Sequence, residues 1–305
     1  MKTIPVIKRS FILVVLAGFI ILSSCKKNVI NEVKVPDFTT LSSQFSEPSA
    51  EYTTAPFFVW NGKITIDEID KDLLSFKNAG SSQVIIHPRP GLINEYLSEN
   101  WFSLYKHAVE KGKELGMNIW IYDENSYPSG FAGGHVPDEM PESYNKGQGL
   151  NMTKADILPD SVDKFYLCLK EEGGIYKDIT SKISDEKGKP GKYFLFSKTY
   201  NEKSDWYGGF SYVDLLYPGV TQKFIEVTMK GYEKNIGSEF GKTVPGTFTD
   251  EPQIESPGGI RWTPDLFDVF MKRWKYDLKT QLPCLYEETG DWKKVRHNYT
   301  ETLLQ

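Results

Sequence analysis

The chain has 305 residues, enough for a sizeable core, and 36 Lys and Arg against 41 Asp and Glu leave a net charge of −5. That mildly acidic balance argues against nucleic-acid binding, which asks for a basic surface. Aromatic residues make up 14% and many stand beside carboxylates, a mixture that suits stacking on sugar faces, although high aromatic content more often means a well-packed core.

Lys2, Lys8 and Arg9 precede an apolar run from Phe11 to Leu22, the charged-then-apolar layout of a secretory signal. The run is shorter than the roughly 20 apolar residues of a spanning helix. It closes on Leu22-Ser23-Ser24-Cys25, which is similar to the lipobox of bacterial lipoproteins; an ordinary signal peptide with an incidental cysteine is the alternative. Residues 1–25 are therefore expected to be a lipoprotein signal with Cys25 as the lipidated residue. The expected location is the cell envelope, anchored to a membrane through the lipid on its periplasmic face or at the cell surface. Lys26-Lys27-Asn28 lacks an acidic run and gives no signal for surface export. Of the other cysteines, Cys168 and Cys284 each lie in apolar stretches, which predicts buried thiols without a disulfide framework.

Residues 26–55 are polar, with no sustained periodicity, and read as a tether. From Pro56 short apolar runs alternate with amphipathic stretches. Phe57 to Trp60 reads as a strand, Asp67 to Ala79 as a helix, Gln83 to His87 as a strand, Glu99 to Gly116 as a helix with a glycine stop, and Asn118 to Tyr122 as a third strand. Strands alternating with helices imply parallel pairing, so the class is α/β and residues 56–149 hold the first three strands of a (β/α)8 TIM-type barrel. The rhythm breaks over residues 150–212, where runs such as Lys164 to Leu169 and Lys192 to Phe196 lie between Gly- and Lys-rich turns and predict a small antiparallel insert. Residues 213–305 resume with a helix from Pro218 to Ile236, a fourth strand from Gly246 to Asp250, and helical patterns at Pro264 to Tyr276 and Asp291 to Leu304. A full barrel takes about 250 residues without insertions. The insert uses part of that length, and Asn298 to Gln305 is helical without a cap. The expectation is a partial barrel of about four strands, cut inside a helix.

Polar residues gather at the carboxyl ends of these strands, the face on which barrels build their sites. They are Trp60-Asn61-Gly62, then His87-Pro88-Arg89, then Asp123-Glu124-Asn125-Ser126-Tyr127, then Asp250-Glu251-Pro252. Glycoside hydrolysis needs two carboxyl groups across the scissile bond, partners for sugar hydroxyls and an aromatic floor. Trp60, Tyr122 and Tyr127 suit the floor, and His87, Arg89 and Asn125 the hydrogen bonds. Bland readings stand beside these. Glu251 fits the first turn of a helix, Glu124 fits a loop cap, and His87 fits a satisfied core histidine.

The runs Pro56 to Gly62, Ile86 to Leu92, Glu95 to Ser98, Trp120 to Gly130 and Phe248 to Gln253 resemble glycoside hydrolase family 106, the α-L-rhamnosidases abundant in Bacteroidetes. The resemblance runs in order from Pro56 to the end. It implies a large multidomain enzyme with a barrel catalytic domain, an inverting mechanism on rhamnose-containing plant or bacterial glycans, and calcium near the sugar. Carried over by position, Glu251 is the general-acid candidate. Trp60, Asn61, His87, Arg89, Tyr122, Asp123, Glu124, Asn125, Tyr127 and Asp250 are the substrate-binding set, with Asp123 and Glu124 also open to a metal. His135, after Gly133-Gly134, sits in a loop able to cover the site, whereas His107 and His297 receive no role. A family member would continue through further strands, on one of which the partner carboxylate is expected. Two other readings stay open, a lipid-anchored carbohydrate-binding protein without catalysis and a polysaccharide lyase or other barrel hydrolase.

Overall fold

A computed structural model describes residues 37–49 and 52–304. The expected leader and the lipidation site Cys25 lie outside the described residues. Among those residues no helix is long and apolar enough to cross a membrane. The chain divides into a unit ending at Pro48 and a unit from Ser49 onward.

The first unit contains helix α1 (Phe38–Ser46) within the segment read as a tether. Asp37 caps it by accepting from the Thr40 N–H at 2.9 Å. Phe38, Leu41 and Phe45 recur at helical spacing, a short apolar stripe that composition alone hides, and all three are exposed.

In the second unit, β1 (Phe57–Trp60), α2 (Ile66–Asn78), β2 (Gln83–Pro88), α3 (Glu99–Leu115) and β3 (Asn118–Tyr122) follow one another as the periodicity predicts. A capping box starts α2, with the Thr65 side chain on the Glu68 N–H and the Glu68 carboxylate on the Thr65 N–H. Ser98 caps α3, and Gly116 ends it in the left-handed region at φ 64°. All pairs in the β1-β2-β3 sheet are parallel, and β8 (Thr247–Phe248) adds to β3 in the same sense, giving four strands in chain order. The class is thus mixed α/β with a parallel sheet.

Alternation along these strands sorts the side chains into two faces. Phe58, Trp60, Val84, Ile86, Ile119 and Ile121 point toward the helices and pack with Ile69, Leu73, Trp101, Tyr105 and Ala108. Each such side chain contributes on the order of 2–3 kcal/mol by leaving water. A Cβ on Gly112 of α3 would lie 2.6 Å from the Ile119 side chain, so glycine is what lets the helix approach β3 this closely. The opposite face carries Phe57, His87, Tyr122 and Phe248, whose rings touch one another across the strands.

After the short helices α4 (His135–Glu139) and α5 (Glu142–Asn145), the chain builds an antiparallel sheet. Its strands β4 (Gly149–Ile157), β5 (Leu167–Glu172), β6 (Ile175–Asp178) and β7 (Pro190–Thr199) stand in the order β6-β5-β7-β4. The expected single helix from Pro218 is two, α6 (Val220–Val227) and α7 (Met229–Ile236), broken where the Thr228 hydroxyl donates back to the Phe224 carbonyl.

The antiparallel sheet also reaches further along the chain than residue 212. Strand β9 (Ile260–Arg261) pairs with β4, and α8 (Leu266–Trp274), α9 (Pro283–Tyr286) and α10 (Trp292–Leu303) follow it. Their apolar sides share one core with Leu150, Leu167, Leu169, Phe194 and Phe196. Within residues 213–305, α7 and β8 serve the parallel sheet and α6 packs with Phe131, Val136 and Tyr212, while everything from Ile260 onward serves the antiparallel sheet. An ion pair between Arg261 and Asp214, both nearly inaccessible, fastens β9 to the segment that leaves the insert. Cys168 and Cys284 are free and buried.

Candidate active site

The loop after β3 is organised around one carboxylate. Glu124 is fully buried, and its two oxygens accept from five backbone N–H groups, those of Asn125, Gly130, Phe131, Ala132 and Gly133, at 2.5–3.0 Å. The loop must curl tightly to aim so many donors at one group. Ser126 at φ 90° and Ala132 at φ 52° occupy the left-handed region at a cost that the bonds to Glu124 offset. Burial pushes the Glu124 carboxyl up to about 8, and the N–H groups of Ala132, Asn125, Gly133 and Gly130 pull against it.

Asp123 ties this loop to the next strand end. Its Oδ1 accepts from the Ser129 hydroxyl and its Oδ2 from the Thr249 hydroxyl, both at 2.6 Å. Burial raises its pKa, and those two hydroxyls lower it. Ser129 also accepts from the Asp250 N–H at 2.9 Å and donates its own N–H to the Asp250 carbonyl at 2.7 Å. Tyr212, arriving from the insert, donates to the Ser129 carbonyl at 2.7 Å and accepts from the Gln253 N–H at 3.1 Å. The segment Asp250 to Gln253 is therefore clamped to the β3 loop at three points.

On the face away from the helices a polar group is assembled over aromatic rings. Arg89 Nε donates to His87 Nε2 at 2.7 Å, and Tyr122 donates its hydroxyl to Asp250 Oδ2 at 2.5 Å. Burial and the adjacent Arg89 charge lower the His87 pKa to about 4, with Asp250 acting in the other direction. A neutral ring that accepts at Nε2 must carry its proton on Nδ1. Burial raises the Tyr122 phenol strongly, aided by Asp250. The Arg89 guanidinium lies 5.5 Å from the centre of the Tyr127 ring, and Trp206 meets Tyr127 edge-on at 5.2 Å while donating its indole N–H to the Tyr127 carbonyl. Glu251 follows Asp250 directly, exposed, at φ 42° before Pro252, a strained backbone for a residue with a side chain. Its carboxylate has no hydrogen bond or ion pair among the described residues.

Of the residues singled out from the sequence, His87, Arg89, Tyr122, Tyr127 and Asp250 converge here, with Glu251 beside them. His87 and Tyr122 are inaccessible, so they orient Arg89 and Asp250 and do not themselves touch a sugar. Trp60, Glu124 and Asp123 do not converge. Trp60 is inaccessible and packs against Phe58, Trp101 and Tyr105 in the helix-side core, so it cannot be part of a sugar-binding floor. Glu124 has its oxygens taken by the loop and is a loop cap, one of the two readings its sequence allowed. Asp123 turns to the other side of the sheet, where it borders an apolar cavity of about 430 Å³ with Leu215, Phe224 and Met229. Asn61 is exposed at the end of β1, and Asn125 keeps its Oδ1 buried without a partner among the described residues. His135 lies 3.2 Å from the Tyr96 carbonyl.

Phe57, Phe248, Ser129, Tyr212 and Trp206 complete the site and were not singled out. Phe57 was findable, because one of the adjacent pair Phe57 and Phe58 must face away from the helices. Calcium takes six to eight oxygen ligands. Among the described residues no group of three or more acidic, His or Cys side chains is placed to hold a metal ion, and Asp123 and Glu124 spend their oxygens on internal bonds. The residues present do not fit that ion.

No family model matches the chain, and no curated protein does. Among solved structures, a rhamnosidase from Novosphingobium sp. PP1Y is similar, with a TM-score of 0.55 at 12% identity over 86% of this chain and 44% of that one. At that identity the likeness shows a shared, rhamnosidase-like fold. The chain spans less than half the length of that structure.

Proposed function

We propose that this chain carries the opening strands of a barrel-type glycoside hydrolase of the α-L-rhamnosidase kind, related to family 106 and acting on rhamnose-containing glycans. The carrying observation is the cluster of Arg89, His87, Tyr122 and Asp250, with Glu251 beside it, at the carboxyl ends of parallel strands in a rhamnosidase-like fold. Phe57 and Phe248 give the apolar wall for a sugar face, the inaccessible Tyr122 holds Asp250 in place, Arg89 and the free oxygen of Asp250 address the sugar's hydroxyls, and Glu251 is the general acid. In an inverting reaction Glu251 protonates the glycosidic oxygen as its bond to C1 breaks. A water that has given its proton to a base attacks C1 from the other side, with the two carboxyl groups about 6.5–9.5 Å apart. Asp123 and Glu124 are unsuited to the base role, being locked in internal hydrogen bonds, so these strand ends supply the acid side alone.

The same engagement of Asp123, Glu124 and Asp250 favours a second reading, a carbohydrate-binding protein without catalysis. An assay of 4-nitrophenol release from its α-L-rhamnoside separates the two. Turnover that falls at least about 100-fold in Glu251→Gln supports the hydrolase. Binding of the rhamnoside without turnover is what acid-side strand ends alone also predict, so there Glu251→Gln decides: affinity lowered at least about fivefold supports the hydrolase, affinity unchanged supports the binding protein, and neither binding nor turnover removes both. The proposal includes attachment to the cell envelope through lipid on Cys25, tested by fatty-acid labelling that Cys25→Ala must abolish.

A further inference from the structure

Helix α1 carries its apolar stripe uncovered among the described residues. Phe38, Leu41 and Phe45 are 84%, 53% and 89% exposed, and none of the nine residues of the helix is buried. Their spacing sets the three on one side of the helix. A helix this short is marginal in water by itself, so its order depends on what takes up the stripe. Three side chains of this kind bury at most about 600 Å², below the roughly 800 Å² per partner of a stable protein interface. The rest of the helix is Thr39, Thr40, Ser42, Ser43, Gln44 and Ser46, hydroxyls and one amide without a charge. Over residues 26–48 the charges also balance, Lys26, Lys27 and Lys34 against Glu32, Asp37 and Glu47. A surface of this kind adsorbs to lipid by apolar insertion alone, its hydroxyls staying among the headgroups. The twelve residues from Lys26 to Asp37 reach at most about 40 Å. A lipid on Cys25 therefore keeps α1 beside the bilayer, where a weak insertion suffices.

We propose that α1 is an interfacial helix lying in the plane of a phospholipid bilayer, with Phe38, Leu41 and Phe45 between loosely packed acyl chains. The inference deepens the envelope attachment proposed at Cys25 and rests on that reading. With no charge to draw it to headgroups, the helix takes its affinity from gaps in lipid packing. It therefore prefers curved, unsaturated membranes to flat, saturated ones.

The test is amide hydrogen exchange of the full chain with and without vesicles, read over residues 38–46. Small dioleoylphosphatidylcholine vesicles should slow exchange there at least about tenfold, and large dipalmitoylphosphatidylcholine vesicles at most about twofold. The slowing should persist at 0.5 M NaCl. It should vanish in the chain carrying both Phe38→Ser and Phe45→Ser and survive when both are changed to Leu. Unslowed exchange at 38–46 overturns the proposal, and because the vesicles are added from outside it does so whether or not fatty-acid labelling bears out the lipid on Cys25. Slowing that persists in the serine chain, is abolished by salt, or is equal on the two vesicle types also overturns it. Full protection of 38–46 before vesicles are added overturns it in favour of a protein surface covering the stripe.

Discussion

Replacing Glu124 by alanine removes the acceptor of five buried N–H groups at once. A buried donor left without a partner costs about 1–3 kcal/mol. The five costs do not add in full, because the emptied space admits water and the loop relaxes. A loss of about 4 kcal/mol is the expected scale, against a total stability of roughly 5–15 kcal/mol for a domain. For a chain of this size each kcal/mol moves the melting point by about 2–4 °C, so Glu124→Ala should melt about 8–16 °C lower. Glu124→Gln keeps one oxygen and sets an amide NH2 against the other donors, and should lose about half as much. Urea unfolding gives the free energies and differential scanning calorimetry the melting points. Because Asn125, Tyr127 and Ser129 ride on this loop, rhamnoside binding should vanish with the loop's order. A destabilisation under about 1 kcal/mol would refute the view that this carboxylate holds the loop.

Other predictions follow from single contacts. His87 is held neutral, its pKa lowered from 6.5 to about 4, so the folded state resists a proton that the unfolded chain accepts. Stability is complete above about pH 6.5 and falls as the pH drops toward 4, by at most roughly 3 kcal/mol, and His87→Gln should flatten urea midpoints across that window. Ser129→Ala breaks the tie between Asp123 and Asp250 and should cost about 2 kcal/mol in urea unfolding. It should also weaken rhamnoside binding, since Asp250 is no longer fixed. Trp60→Ala should cost about 3–5 kcal/mol of stability while the folded fraction binds a rhamnoside as the parent does, because Trp60 belongs to the core.

Much of the fold was legible because the relevant signals are local. The strands Phe57 to Trp60 and Asn118 to Tyr122, and helix α3 with its Ser98 and Gly116 caps, follow from apolar spacing and cap chemistry. The facing of β1 was not legible. Phe57, Phe58, Val59 and Trp60 are all apolar, so alternation cannot say which pair looks toward the helices, and Trp60 was assigned to the wrong side. The role of Glu124 depends on five N–H groups converging in three dimensions. Its trace in the sequence is Gly130 and Gly133-Gly134 just downstream, which allow the curl. The split at Thr228 turns on one hydroxyl bond to the backbone. The docking of α8 to α10 on the antiparallel sheet is a long-range choice between two sheets that both offer an apolar face, and nothing in their spacing distinguishes them. Trp206 reaches the site from a turn about 80 residues from Tyr127, a contact that only the insert's fold creates.

The central claim is that a rhamnoside sits on the Phe57 and Phe248 face with Glu251 at its glycosidic oxygen. A crystal structure of the full chain with a non-hydrolysable α-L-rhamnoside tests it most directly. The account predicts the sugar ring on that face, hydroxyls on Arg89 and Asp250, and a Glu251 carboxyl oxygen about 2.6–3.2 Å from the glycosidic atom. A rhamnoside bound elsewhere on the chain, or on this face with Glu251 turned away from the bond, would contradict it.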